Sequence, residues 1–490
     1  MQTTRQTSQT SQRLDAGALN RVSECIYEIP KSFRADMRVP VRIFADEEHL
    51  QAILRDQSIP QLTNVATLPG VWSAALGMPD MHEGYGFPVG GVAATALPDG
   101  VISPGGIGFD INCGVRLLAS PWTRDKVAAD LPKIVHELSR SVPVGYGRPG
   151  KLSLTMAELE RVLQEGVPYI VREHGQGLPE DLQFIESGGG LAAADPAKVS
   201  DRAKQRGLEQ LGTLGGGNHF IEVQVVETIF DKEAAGALGL FQDQITVLVH
   251  SGSRGLGHQV CTDYVRAMDD AGRRYGIELP DRQLACAPFS SPEGKRYFAA
   301  MCAAANFGWC NRQVLAHKVR QVFGRFMGGS PAELRLIYDV GHNNAKVERY
   351  GSRDVLVHRK GAIRAFGPSN PELPPAYRRV GQPVFIPGSM GTSSFVLVGT
   401  DESANLSFGS TCHGAGRAKS RSAAKREATG QQVRKELESR GIIVKCPSNA
   451  ELAEEAPFAY KDVERVVDIV HRAGIAKRVV QLRPLGVLKG

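Results

Sequence analysis

The chain has no run approaching the roughly 18 apolar residues of a membrane-spanning helix, so no span is expected. Its first 20 residues are rich in Gln, Thr and Ser and carry no apolar stretch of secretory-signal type. They read as a disordered leader over 1–20. No two cysteines form a CxxC pair; the eight lie at 25, 113, 261, 286, 302, 310, 412 and 446. That excludes a zinc knuckle or dithiol redox motif of this kind. It points to reduced, mostly buried thiols in a cytoplasmic protein. Long runs of one charge are also missing. The 58 Lys+Arg against 52 Asp+Glu leave +6, a balance that permits a nucleic-acid or nucleotide partner without demanding one. The densest basic stretch, Gly416 to Arg426, reads by itself as a solvated helix face. There is no P-loop, no HExxH and no GxSxG.

What is plentiful is glycine: 54 of 490 residues, above the roughly 7% average. The glycines cluster. Between Asn64 and Leu118 they punctuate short apolar runs, as in strands joined by tight loops. Glu47 to Arg55, Asp125 to Leu138 and Gly414 to Glu438 read as helices, and 151–210 as a more polar, helical stretch. No repeat or clear linker appears. The expectation is an α/β (α+β) fold with a central mixed β core over 21–490 and a helical insertion near 125–210.

Three segments set polar residues where an apolar run would emerge into a loop: Gln244 to His250 and Glu333 to Asn344 end in them, and Pro383 to Gly399 holds two apolar runs around a Gly-Ser turn. Such strand-to-loop positions favour chemistry, because the scaffold is rigid and the loop is free to bind. His250 and His342 sit there, and His219 follows the glycine-rich GTLGGGN. Asp110 and Cys113 stand three apart in a glycine-flanked loop. A thiolate can bridge two divalent ions, which would hold it deprotonated. The five together form a candidate site for two metals. The thiolate leans toward zinc, whereas imidazole and carboxylate suit manganese equally well.

GTLGGGNHF (212–220), PGSMGTSS (387–394) and HGAGRAKSR (413–421) are candidate phosphate cradles. The third is expected to lead directly into a helix, whose N-terminus would favour anions. His413, just before it, is then a candidate nucleophile toward phosphorus. Arg254 is suited to bidentate phosphate binding.

Together these blocks resemble one family, RtcB, the GTP-dependent RNA-splicing ligases. The matching stretches are PDMHEGYGFPVGG (79–91), SPGGIGFDINCGVR (103–116), GTLGGGNHFIEV (212–223) and HSGSRGLGH (250–258). They continue in DVGHNNAK (339–346), HRKGAIRAFGPS (358–369), IPGSMGTSSFVL (386–397) and STCHGAGRAKSR (410–421). The lysine motif KxDG of ordinary ATP-dependent ligases is missing, in keeping with a histidine nucleophile.

The resemblance implies two Mn2+ ions, GTP as co-substrate, and joining of 2′,3′-cyclic phosphate or 3′-phosphate RNA ends to 5′-hydroxyl ends. It assigns His413 as the guanylylated residue and Asp80 as an acidic residue needed for activity. Cys113 would bridge both ions, Asp110 and His219 completing one site and His250 and His342 the other. Nucleotide contacts would be Asn218, Phe220, Glu222, Asn343, Pro387, Gly388, Ser389, Met390, Ser394, Gly414, Ala415, Gly416 and Lys489. Arg254 would hold RNA phosphate. Expected partners are tRNA halves or broken RNA ends, with an archease-type activator as a candidate, no membrane, and a monomeric enzyme. The alternative is a manganese-dependent phosphodiesterase that opens cyclic phosphates without joining ends.

Overall fold

Two large β-sheets and one long buried helix organise the chain. The structure is a computed structural model that describes residues 19–145 and 149–490. The expected leader lies outside the described residues except at its end, where Asn20 already opens a strand. The class is mixed α/β, as the sequence implies. No helix among the described residues is long and apolar enough to cross a membrane.

One sheet has seven strands, ordered Asn20–Ser23, Ile26–Ile29, Val41–Phe44, Val71–His82, Val89–Ala96, Arg353–Lys360, Asn343–Tyr350. The other runs Arg335–Gly341, Gly114–Thr123, Gln244–Ser251, Phe220–Ile229, Ala476–Lys489, Ser394–Gly399, Pro383–Ile386, with Ile443–Lys445 beside Ala476–Lys489. Its strands are apolar on both faces: Val115, Leu117, Leu118, Val223, Val247, Leu248 and Val249 are all buried. Continuous β-branched and leucine runs give this pattern where both sides are covered. A short ribbon pairs Ala362–Arg364 with Ser410–Cys412.

The helix Pro292–Met327 lies in the core. Ser291 caps it by accepting from the Gly294 amide at 3.1 Å, and Pro292 occupies its first turn. Almost every face is buried over its middle, where Ala300 to Ala305 are small or apolar and Arg312 and Arg320 are paired with Asp339 and Asp181. The helices Met156–Glu165 and Val167–His174 pack against it through Leu159, Val162, Leu163 and Ile170.

Two helical expectations change. The stretch expected over Asp125 to Leu138 breaks into Arg124–Val127 and Leu131–Ser141, where Pro132 opens a new first turn. The long helix expected over Gly414 to Glu438 is two: Arg421–Glu427 and Gly430–Ser439. Ala428 is extended, and Thr429 starts the second with a capping box to Gln432. Ser420 caps the first, so seven residues separate His413 from that helix. His413 is therefore on a loop after a strand, not at a helix N-terminus.

Candidate active site

Strand register brings the first group of candidate residues together. In the eight-stranded sheet Gly341 pairs with Gly114, Gly114 with Ser251, and Phe220 with His250. Cys113, His219 and His342 flank these strand ends, and His250 lies within its strand rather than beyond it. His342 is the single residue between Arg335–Gly341 in one sheet and Asn343–Tyr350 in the other. The donors thus line up along one edge, at the seam between the sheets.

Cys113 Sγ lies 3.2 Å from His219 Nε2 and 3.4 Å from His250 Nε2. His250 Nε2 is 3.5 Å from His342 Nε2, and His219 Nε2 is 3.0 Å from Asp110 Oδ2. Burial holds His250 and His342 well below the usual histidine range, so both are neutral donors. Burial pushes the Cys113 thiol well up, a cost that a bound cation would offset. For Asp110 burial pushes upward, but hydrogen bonding and charge from His219 outweigh it, and the net shift is down.

This set fits divalent transition metal. Bonds of about 2.0–2.3 Å would space neighbouring donors roughly 3.4–3.7 Å apart, close to the separations seen. Thiolate, imidazole and carboxylate are the matching donor types. Among the described residues, Cys113, His219 and His250 form a group whose ligand atoms lie close enough together to hold one metal ion.

His413 forms the second group. Asp80, fully buried near the end of Val71–His82, places Oδ2 2.6 Å from His413 Nδ1 and 3.1 Å from the His413 amide. A carboxylate on Nδ1 keeps the proton there and leaves Nε2 with its lone pair. The His413 ring stands edge-on to His342, with centroids 4.7 Å apart. Gly416 lets the following loop press onto Asp80: with φ +74°, a Cβ there would lie 2.2 Å from the Asp80 carbonyl oxygen.

The third group lies where three neighbouring strands meet. Lys489, fully buried, donates to Asn218 Oδ1 at 3.0 Å and sits 5.5 Å from the Phe220 ring centre. Burial lowers it to about 8 and raises nearby Glu222 to about 8. Ser394 Oγ accepts from the Gly388 amide at 3.3 Å and from Gln224 at 3.0 Å. The Pro387 carbonyl accepts from the Ala415 amide at 3.2 Å, tying the turn holding Ser389 and Met390 to the His413 loop beside Gly414.

Two candidates are already engaged. Asn343 donates to the Asp110 carbonyl at 3.0 Å and accepts from the Gly361 amide at 2.9 Å. It braces the Asp110 loop in this state. Arg254 donates to Thr213 Oγ1 at 3.1 Å and to the Gly145 carbonyl at 3.4 Å.

Sequence reasoning missed the bracing. Arg312, fully buried on the long helix, donates to the carbonyls of Asn112 at 2.7 Å and Ser251 at 2.9 Å. Its charge is met by Asp339 at 2.8 Å, and Asp339 also takes Arg116 at 2.7 Å. Asn311 accepts from the Gly212 amide at 2.8 Å and donates to the Gly252 carbonyl at 3.0 Å. Two neighbouring side chains so clamp the backbone beside Cys113, the glycine-rich loop before His219 and the end of the strand that carries His250. The signal was available: Asn-Arg-Gln at 311–313 follows the mostly apolar stretch 297–310 of that helix, and buried polar groups must find partners. Lys461 was missed as well. Its amide donates to the Gly416 carbonyl at 2.9 Å and its Nζ to the Met81 carbonyl at 2.6 Å, joining the His413 loop to the Asp80 strand.

A sequence profile described as "tRNA-splicing ligase RtcB" matches residues 61–490. A protein of Archaeoglobus fulgidus named tRNA-splicing ligase RtcB is 52% identical over 480 residues, 97% of this chain and 99% of that one. Its namesake in Thermococcus kodakarensis is 50% identical over 478 residues, covering 96% and 99%. The RNA-splicing ligase RtcB of Mycobacterium tuberculosis is 51% identical over 437 residues, covering 88% and 100%. With a profile match over most of its length and relatives near half identity across nearly all of it, the chain belongs to the RtcB family of tRNA-splicing ligases.

Proposed function

We propose that this protein joins RNA ends bearing a 3′-phosphate or 2′,3′-cyclic phosphate to 5′-hydroxyl ends, using GTP and manganese, in tRNA splicing or RNA repair. The observation that carries this reading is the Asp80–His413 pair standing beside His342, one of the converged metal donors. A histidine with its Nδ1 proton anchored is a competent nitrogen nucleophile, and charge-offsetting cations belong next to it.

In the first step Nε2 of His413 attacks the α-phosphorus of GTP. The N–P bond forms, the bond to the bridging oxygen breaks, and pyrophosphate leaves. An oxygen of the RNA 3′-phosphate then takes the GMP, and His413 is released. The 5′-hydroxyl attacks the activated RNA phosphate, expelling GMP and closing the phosphodiester. A cyclic phosphate is first opened by water. Asp80 holds the Nδ1 proton throughout, so that Nε2 acts as nucleophile and then as leaving group. Lys489, Asn218, Phe220, Glu222 and Ser394 would seat the nucleotide, with the Pro387 to Met390 turn and the Gly414 to Gly416 backbone over its phosphates. Arg254 would hold RNA phosphate. Two manganese ions, held by Cys113 between Asp110 with His219 and His250 with His342, would offset phosphate charge when bound. Work in a reducing cytoplasm accords with the eight unpaired cysteines.

Labelled GTP with manganese tests the reading. The expected result is a covalent protein–GMP adduct, absent from His413→Ala although that variant folds. Ring opening of cyclic phosphate without any adduct would favour the phosphodiesterase instead.

A further inference from the structure

A pile of aromatic rings borders the metal donors. Phe109, next to Asp110, stacks on His258 with centroids 4.9 Å apart and planes inclined by 28°. Tyr85 meets Phe109 edge-on at 5.4 Å. Tyr85 and Phe109 are half-buried, and His258 is exposed.

The three rings come from three segments, and local hydrogen bonds pin each one. Lys360 Nζ donates to the Tyr85 carbonyl and, at 2.9 Å, to that of Phe87. The Gly86 amide donates to Gln283 Oε1 at 2.9 Å. On the other side of Phe109, the Gly108 amide donates to the Pro104 carbonyl at 2.9 Å and Asn343 holds the Asp110 carbonyl at 3.0 Å. His258 belongs to the helix Arg254–Arg274. A stacking face built in advance spares a ligand the cost of ordering it.

The charges differ between the ends of the pile. Near Tyr85 lie Asp269 and Asp281, and Arg282 is engaged by Asp269 at 2.9 Å. His258 lies one helical turn beyond Arg254, and Arg206 reaches the residue after it, donating to Gln259 Oε1 at 3.0 Å. Asp110 also acts on His258, and Gln259 donates to Asp263 at 2.7 Å, so it is the two arginine side chains, not a net excess of positive charge, that would meet a phosphate at the His258 end. One turn advances about 5.4 Å, a reach a single nucleotide covers between phosphate and base.

We propose that the outer face of His258, backed by Phe109, is a stacking platform for the base of the terminal nucleotide on one of the RNA ends, its phosphate lying toward Arg254 and Arg206. The proposal rests on the RNA-joining reading above. Every base has a π-face, so the platform accepts ends of any sequence.

Two short single-stranded RNAs test it, one with 2-aminopurine beside a 3′-phosphate and one with it at a 5′-hydroxyl end. Each is titrated into the full chain with manganese and without GTP, so that no joining occurs. Wild type should quench one of the two, which identifies the end that is held. His258→Ala should lose the quenching and bind that RNA about ten-fold more weakly, and His258→Phe should restore both. Equal quenching and affinity in wild type and His258→Ala would overturn the platform, as would binding of both RNAs by wild type with quenching of neither. Failure of the ligase reading registers separately, as a missing GMP adduct in wild type.

Discussion

The proposed metal half of the site and the proposed nucleotide half are held by different means. The candidate metal donors come from residues 110–342, near strand ends whose adjoining backbone is gripped by Arg312 and Asn311 of the buried helix. The nucleotide half draws largely on residues 387–490, and its loops hold one another. Ala415 bonds to Pro387, Lys461 to Gly416, and Arg417 to the buried Glu455 at 3.0 Å. Metal coordination tolerates little error in donor position, so its ligands are fixed from behind by paired charge and amides. Nucleotide phosphates are recognised by backbone and cations, which mutually tied loops can present. Damage should therefore spread differently in the two halves.

The largest effect is expected from Cys113→Ala, which should lose both metals by elemental analysis, because one thiolate is proposed to serve two ions. Full occupancy in that variant would end the bridging role. Next is Arg312→Met. Removing one partner from a buried ion pair costs about 3–5 kcal/mol, read as a lower denaturation midpoint, with weaker metal retention and an unchanged His413 loop. A variant with full stability would show that the helix does not brace the donors.

Lys489→Met should spare metal content and weaken GTP binding about ten-fold, the loss of a charge-assisted contact. The pH dependence sharpens the contrast. Burial lowers Lys489 to about 8, so the cation is present below that pH and lost above it. GTP affinity should fall as pH passes about 8, and Lys489→Met should flatten that fall. Stability moves the other way. An unfolded lysine keeps its proton to about 10.4, so between about 8 and 10.4 the unfolded state binds more protons and folding gains with pH. The smallest effect is expected from Ser394→Ala, which frees the Gly388 amide. About 1 kcal/mol, near five-fold in GTP affinity by calorimetry, is the expected loss, with metal binding untouched.

Much of the site was legible because its residues stand in short motifs. Asp110 with Cys113, and Asn218 with His219 and Phe220, are a few positions apart, and glycine on either side marks close backbone approach. Asp80 was legible only through family resemblance; nothing in the local sequence pairs it with His413, 333 positions away. The helix expected after His413 failed for a local reason. Helix-favouring composition over Gly414 to Glu438 was outweighed by caps at Ser420 and Thr429, which stop and restart the backbone. Arg312 escaped notice because it is one of four arginines on its helix, and only its burial separates it from exposed Arg296 and Arg325.

Residue types alone determined which atoms could coordinate, cradle or attack, since donor softness, nucleophilicity and charge are properties of single side chains. Only the tertiary structure decided that five candidate donors from residues 110 to 342 lie within contact of one another in turn, Asp110 to His219 to Cys113 to His250 to His342. Chain separation carries no distance, and it is strand register, the one-residue junction at His342 and the clamp of residues 311 and 312 that bring them together.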